Sequence, residues 1–416
     1  MDYKDFTLCA RDWHDGRSRI EVTSSPVGRM SEPEDVRYDW SVLQHSLDRL
    51  ERGRISLKAL SSLGSDLAGL ILPPQARGML FQSLATIGPE HGLRLRLVIN
   101  DPQVAALPWE YLYVPHTAKD QGLESFLVLD PRISLVRHQA LQIAHGTARA
   151  DRPFKMVVGL SSPSDAPPLA LETEQDVIEQ ALCGISDIEV TFVPHLTVEK
   201  LVSACQGVHI FDFVGHGTSG GQGILLEDSA GRAEPFPAGK LALILRNAGV
   251  RVAVLGACET GRRNGSDAWN DTPSALMRAG IAAAILMQYE ITDSSGISFG
   301  KHFYRALVAG LSLDEAVTAG RLAILSQGHG DETGWGVPVL YMRADDGIVF
   351  PEATAHPSLH EARVQIRQQV QDLQGKLLGA EVTTMTSGSL SVNQDIGTIG
   401  PNGEATGIRI DHLGDS

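Results

Sequence analysis

Apolar residues fall along this chain in two different rhythms, and the change of rhythm divides it. In roughly the first 150 residues the pattern is mixed. Leu93 to Asn100 alternates apolar and polar residues, as a half-buried strand does. Trp40 to Arg52 and Leu57 to Ile71 carry helical spacing, and Phe126 to Leu129 and Arg132 to Val136 read as short strands. Residues 139–153 are polar and aperiodic, so a boundary is expected there. From Phe154 the chain alternates regularly. Short continuous apolar runs (Phe154 to Leu160, Ile188 to Val193, Val208 to Val214, Val250 to Leu255, Ile281 to Met287, Val337 to Met342) are separated by helical stretches. Thr272-Pro273 is a helix start, with threonine as cap and proline at the first helical position. Strands alternating with helices predict an α/β fold with a mainly parallel sheet flanked by helices.

After Phe350 the rhythm changes again. Residues 351–416 contain no Phe, Tyr, Trp or Cys and cannot build an ordinary core. Ser358 with Glu361 reads as a capping box, and Ile366, Val370, Leu373 and Leu377 follow at helical spacing, so a short amphipathic helix is expected over 358–379. Residues 390–413 read as two short strands around Gly400-Pro401-Asn402-Gly403. The tail over 381–416 is either floppy or a β-hairpin that adds to a partner's sheet or to copies of itself. The expected organisation is therefore an N-terminal α+β region (1–150), a main α/β domain (154–350), the helix and the tail.

Composition narrows the function classes. Of 416 residues, 35 are Lys or Arg and 50 are Asp or Glu, a net charge of −15 that disfavours general phosphate-backbone binding. No run approaches a membrane span, and the first residues, MDYKDFTLCARDW, lack the apolar core of a signal peptide, so the expected compartment is the cytoplasm. Direct nucleic-acid and membrane partners are not expected. Four scattered cysteines (Cys9, Cys183, Cys205, Cys258) make no disulfide framework and no CxxC pair. HExxH and GxxxxGK[ST] are absent, so neither a zinc site nor a P-loop is read, and no cofactor is implied.

The chemistry-bearing residues end strands. In open α/β sheets ligands bind beyond the carboxyl ends of the strands. The run VHIFDFV ends in Gly215-His216-Gly217, and VRVAVLGA ends at Cys258. If the two strands are neighbours, an imidazole and a thiol face each other, an arrangement suited to nucleophilic catalysis. The backbone amides of Gly217 and Cys258 are then candidates for an oxyanion hole. A buried structural cysteine is the alternative for Cys258 alone.

Gly256-Ala257-Cys258-Glu259-Thr260-Gly261 resembles the nucleophile motif of the CHAT peptidases, caspase-like cysteine peptidases related to separase and gingipain. The resemblance covers roughly residues 1–350. It includes Leu107-Pro108-Trp109-Glu110, Gly215-His216-Gly217, the segment Phe303 to Val317 and Gly336 to Tyr341. It implies a caspase-like three-layer fold and cleavage of a protein substrate, with His216 as general base and Cys258 as nucleophile. It also implies an effector of bacterial defence type, with the tail as adaptor for a sensor or activator. Many members carry a histidine where this chain has Asp212, which either orients the site or is a hydrogen-bonded strand residue. Asp165, Glu259 and Asp293 are candidates for an acidic pocket that selects a basic side chain, by the charge logic of trypsin-like pockets. Each also reads as an ordinary loop or cap residue. The rival readings are a catalytically silent scaffold acting through its tail, and another thiol hydrolase such as an amidase.

Overall fold

The computed structural model describes residues 1–14, 16–37, 39–115, 122–137, 152–218, 222–257, 272–289, 291–327, 333–344, 346–350, 363–373, 376–385, 389–399 and 404–413. Two compact units divide the chain, Met1–Pro351 and Glu352–Ser416.

The first unit is organised on one 11-stranded sheet. Three strands come from the N-terminus: β1 (Asp2–His14), β2 (Arg17–Ser24) and β3 (Glu34–Arg37). Three helices follow, α1 (Trp40–Glu51), α2 (Leu57–Ile71) and α3 (Pro74–Ile87), then β4 (His91–Ile99), the short α4 (Pro102–Ala105) and β5 (Ile133–Arg137). The alternating part begins with β6 (Phe154–Leu160), α5 (Leu171–Leu182), β7 (Ile188–Val193), α6 (Val198–Ala204) and β8 (Ile210–Gly215). A two-stranded ribbon, β9 (Gly223–Glu227) with β10 (Ala233–Pro237), leads into α7 (Ala238–Ala248) and β11 (Val252–Ala257). Then come α8 (Thr272–Ala279), β12 (Ala283–Met287), α9 (Asp293–Val308), α10 (Leu313–Gln327) and β13 (Pro338–Met342).

Across the sheet the order is β3-β2-β1-β4-β5-β13-β12-β11-β8-β6-β7. The strands β12, β11, β8, β6 and β7 run parallel to one another. A second parallel block, β1, β4, β5 and β13, runs the opposite way, because β12 and β13 pair antiparallel. The expected N-terminal region and main domain thus share one sheet.

Period-two alternation sends neighbouring residues to opposite faces. Ile210, Val214, Val252, Val254, Ala283 and Ile285 join one buried cluster, with residues of α5, α9 and α10. Phe211, Phe213, Ala253, Leu255, Ala284 and Leu286 join the other, with residues of α6, α7 and α8. The core strands are apolar on both faces because helices cover both. Local signals set the helix ends. The hydroxyls of Thr197 and Thr292 accept from the amides of Lys200 and Ser295, at 3.3 Å each. Helix α7 stops at Gly249, whose φ of 92° an L-residue rarely adopts. The expected strand over 126–129 is instead a 3₁₀ turn, Leu127–Leu129, and α3, opened by Pro74 at its first turn, was not anticipated.

The second unit departs from expectation. The helix expected over 358–379 is absent: Arg363–Leu373 (β14) and Lys376–Met385 (β15) are strands, and residues 351–362 lie outside the described residues. The physical reason lies in the spacing. Val364, Ile366 and Val370 are all an even number of residues apart, so they fit a strand face as well as a helix stripe, and all three are β-branched. Ser389–Ile399 (β16) and Glu404–Leu413 (β17) are the two strands expected around the turn, but they do not form a hairpin with each other. β14 pairs with β16 and β15 with β17, both parallel.

Candidate active site

His216 follows directly on β8, which lies between β6 and β11. Ala257, the last residue of β11, is the register partner of Gly215. The histidine therefore stands at the carboxyl edge of the sheet, beside the point where β11 ends. Cys258 and Glu259 are next in the chain and lie outside the described residues. Gly215 has to be glycine: a Cβ there would sit 2.4 Å from the Phe213 ring and 3.1 Å from the Ser161 carbonyl oxygen.

The His216 side chain is 8 % exposed. Its Nε2 is 2.8 Å from the carbonyl oxygen of Pro167, in the loop between β6 and α5. A carbonyl only accepts, so that nitrogen carries the proton, and in the neutral ring the lone pair is on Nδ1. Gly217 forms an antiparallel bridge with Ile224. The flanking bonds are Leu225 N to His216 O, 2.8 Å, and Thr218 N to Gly223 O, 3.0 Å. Gly217 and Ile224 therefore face each other as a non-hydrogen-bonded pair, and the bridge does not consume the Gly217 amide.

Beneath this edge, α5 and α9 roof a cavity of about 450 Å³ on one face of the sheet. Its floor includes Asp212 and Val214 of β8, Val254 and Gly256 of β11, and Met287. Its walls are mainly apolar, with Phe299 and Phe303 among them, but three carboxylate residues also line it: Glu174, Asp212 and Asp293. That size and mixture suit one side chain or small ligand with a charged end.

Asp212 is strongly perturbed by its surroundings. Its strand face otherwise points Ile210 and Val214 into the core, so the carboxyl is buried among apolar groups. Burial pushes its pKa up to about 7, and the nearby Glu174 pushes in the same direction. The Tyr304 hydroxyl, donating at 2.8 Å, and the Phe213 amide pull it back part of the way. Burial, and secondarily Asp212, hold the Tyr304 phenol well above its ordinary range. Asp212 is thus a hydrogen-bonded strand residue that also forms part of the cavity floor.

Asp293 is the first residue of α9, whose cap is Thr292, and it lines the cavity. Asp165 does not. It accepts from the Ala233 amide at 2.7 Å and ties the loop after β6 to β10. Of the acidic-pocket candidates, the structure thus brings Asp293 to the cavity, ties Asp165 elsewhere and leaves Glu259 undescribed. Cys9 and Cys205 are buried and Cys183 exposed. Burial raises the Cys205 thiol to about 12, which makes it unreactive. His195, at φ 52°, pairs through Nδ1 with the buried Glu227 at 2.9 Å. Among the described residues, no three His, Cys, Asp or Glu side chains are grouped as metal ligands, and no helix is long and apolar enough to cross a membrane.

The family model described as the CHAT domain matches residues 62–371. The chain belongs to the CHAT domain family. Two solved structures are similar to parts of it, both of the Saccharomyces cerevisiae separase–securin complex, at 3.0 and 2.6 Å resolution. They are 14 % and 15 % identical, with a TM-score of 0.35 in each case, and each covers 60 % of this chain. The chain spans only 15 % and 16 % of those chains. No curated protein matches.

In this CHAT domain the N-terminal motif Leu107 to Glu110 has a visible task. Glu110, fully buried, pairs with Arg137 at 2.6 Å, and Arg137 also donates to the Ala105 and Leu107 carbonyls and to the Gln288 side chain. Gln288 returns a bond to the Ala106 carbonyl at 2.6 Å. Since Gln288 follows Met287 in the cavity floor, this network fixes the N-terminal region to the edge of the site. Glu174 and Tyr304 were not singled out from the sequence. Tyr304 lies inside the Phe303 to Val317 segment, and that was its one signal.

Proposed function

We propose that this CHAT domain is a cysteine peptidase that cleaves a protein substrate, using Cys258 as nucleophile and His216 as base, with a preference for a basic side chain before the scissile bond. The observation that carries it is the register of β8 with β11, which sets His216 beside the strand end that continues into Cys258. The Pro167 carbonyl supports the role of His216, because it holds the proton on Nε2 and leaves Nδ1 as the basic nitrogen.

The chemistry runs in balanced steps. Nδ1 takes the thiol proton as sulfur attacks the scissile carbonyl carbon. The new C–S bond puts a negative charge on oxygen, which the amides of Gly217 and Cys258 receive. Collapse of that oxyanion breaks the C–N bond, and the imidazolium gives its proton to the leaving amine. Water then attacks the thioester, losing a proton to Nδ1, and the acid product departs as the thiol is restored.

The cavity supplies the selectivity. Glu174 and Asp212 repel each other's ionised forms, so a guanidinium or ammonium entering the cavity relieves that repulsion as well as pairing with them. In this reading the chain is a signal-activated effector of the bacterial defence kind, and the separate C-terminal unit is the part that receives the signal.

The test is covalent labelling by peptide acyloxymethyl ketones bearing Arg, Lys, Asp, Leu or Met next to the reactive group. Labelling mapped by mass spectrometry to Cys258, strongest with Arg or Lys and lost in His216→Ala, is the expected result. Labelling that persists unchanged in His216→Ala denotes an exposed thiol without a dyad. A folded protein that no probe labels, with and without a candidate activating partner, refutes the peptidase reading in favour of a scaffold.

A further inference from the structure

We propose that the C-terminal unit is a two-layer building block that stacks head to tail with further copies of this chain. In this unit one layer of two strands, β14 and β15, lies in parallel register on a second, β16 and β17. Among the described residues each of these sheets has two strands, so every strand has one edge paired and a second edge without a partner. Unpaired parallel edges of this length are templates for further strands.

The register says what fits them. Apolar residues are partners of apolar residues: Ile366 with Val392 and Val370 with Ile396. Gln368 is the partner of Gln394, the kind of amide pair that repeats along stacked strands. In the β15–β17 sheet two pairs join opposite charges: Lys376 with Glu404, and Glu381 with Arg409. At these positions the second layer complements the first, while Arg363, Arg367, Asp372 and Asp395 face uncharged residues.

A further copy that lays its first layer on the free edge of the second layer repeats every one of these pairings. The charge order along the stack then alternates without interruption, Lys376, Glu404, Lys376, Glu404. Joining two first layers would instead place Lys376 on Lys376 and Glu381 on Glu381, and like charges directly opposite are destabilising. The complementarity thus selects a second copy of this chain in one polarity. A head-to-tail contact of this kind does not close, so the product is an open filament. Clustering copies in this way would bring the attached catalytic units to high local concentration.

The experiment uses the full-length chain and reads assembly, not proteolysis, so it stands or falls apart from the peptidase reading. The wild type, Lys376→Glu, Glu404→Lys and the Lys376→Glu/Glu404→Lys double variant are compared by sedimentation over a concentration series. Fibre diffraction is recorded on the pellets. The wild type is expected to become sedimentable above a threshold concentration and to give the strand-spacing reflection near ~4.8 Å. Each single variant is expected to lower the sedimented fraction by about tenfold, since it places like charges in register. The double variant restores the alternation and is expected to recover assembly, which a merely unfolded tail would not do. A wild type that stays monomeric throughout overturns the proposal and leaves the edges to an unlike chain. Single and double variants that assemble alike, or a chain lacking 363–413 that assembles as well as the wild type, also overturn it.

Discussion

The two halves of the large sheet differ in one buried carboxylate: Glu227 pairs with His195, but Asp212 has no cation among its described partners. In the half built from β1, β4 and β5, each buried carboxylate is paired. Glu110 meets Arg137, and Asp314 accepts two bonds from Arg94, which also donates to Asp5. For Arg137, burial alone would lower the pKa, but the charges and hydrogen bonds of Glu110 and Tyr341 together outweigh it and hold the guanidinium above its usual range. In the half built from β6, β8 and β11, Asp212 is buried with a phenol and an amide as its donors among the described residues, and the charge of Glu174 raises its pKa further. Paired acids fix structure. A buried acid that faces a cavity without a cation is destabilising by itself, and such groups collect at sites that bind or react.

Breaking a pair on the first side has the largest expected effect. Glu110→Ala leaves Arg137 buried without its carboxylate, a change that costs about 3–5 kcal/mol. Chemical denaturation should show that loss. Because the same network holds Gln288 beside the cavity floor, the variant should also lose peptidase activity at temperatures well below its unfolding midpoint. A loss near zero would mean that the two halves are not distinguished by pairing.

Neutralising the unpaired acid should do the reverse. The native state keeps the Asp212 proton up to about pH 7, whereas an unfolded chain releases it near 3.8. Between those values the native state binds more protons, so this group's contribution to stability falls as pH rises and is least favourable above pH 7. Three pKa units correspond to about 4 kcal/mol, and the unpartnered amide of an asparagine returns about 1–3 of that. Asp212→Asn is therefore expected to be more stable than wild type by about 1–3 kcal/mol at pH 8. At pH 4 the wild-type carboxyl is protonated in the native state, and the advantage should vanish. In parallel, kcat/KM for Arg and Lys substrates should fall about 10- to 100-fold, with uncharged substrates less affected. Denaturation midpoints at the two pH values, with kinetics on matched peptides, check both. A variant destabilised at pH 8 would contradict the raised pKa.

Much of this was legible in the sequence, for reasons tied to particular residues. The strands β6, β8, β11 and β12 are continuous apolar runs because helices cover both faces, and their ends carry Gly215-His216-Gly217 and Gly256-Ala257-Cys258. The first strands were hidden. β1 reads DYKDFTLCARDWH, where charged residues interrupt the apolar ones, and its place between β2 and β4 comes from pairing at long range. The tail was misread because Ile366 and Val370 satisfy two periodicities at once. The acidic cavity was half legible. Asp212 stood out because many CHAT members carry a histidine there and Asp293 as a charge at a helix start, but Glu174 meets them only because α5 and α9 pack side by side over β8, which no local pattern encodes.

The smallest expected effect tests the cause of the Asp212 shift and not its existence. The Tyr304 hydroxyl donates to one Asp212 oxygen and stabilises the ionised carboxylate, while burial works against it. Tyr304→Phe removes that donor and keeps the ring, so the cavity loses one oxygen and little volume. The carboxyl should then hold its proton to a still higher pH, by about one unit, the equivalent of about 1.4 kcal/mol. For an Arg substrate, the pH at which kcat/KM falls by half on acidification should move up by about that unit. The same measurement in Tyr304→Phe/Asp212→Asn should show no such movement, because the group that titrates is gone. If the profile moves equally in both, the titrating group is elsewhere in the site, and the contrast between paired and unpaired acids would lose its functional meaning.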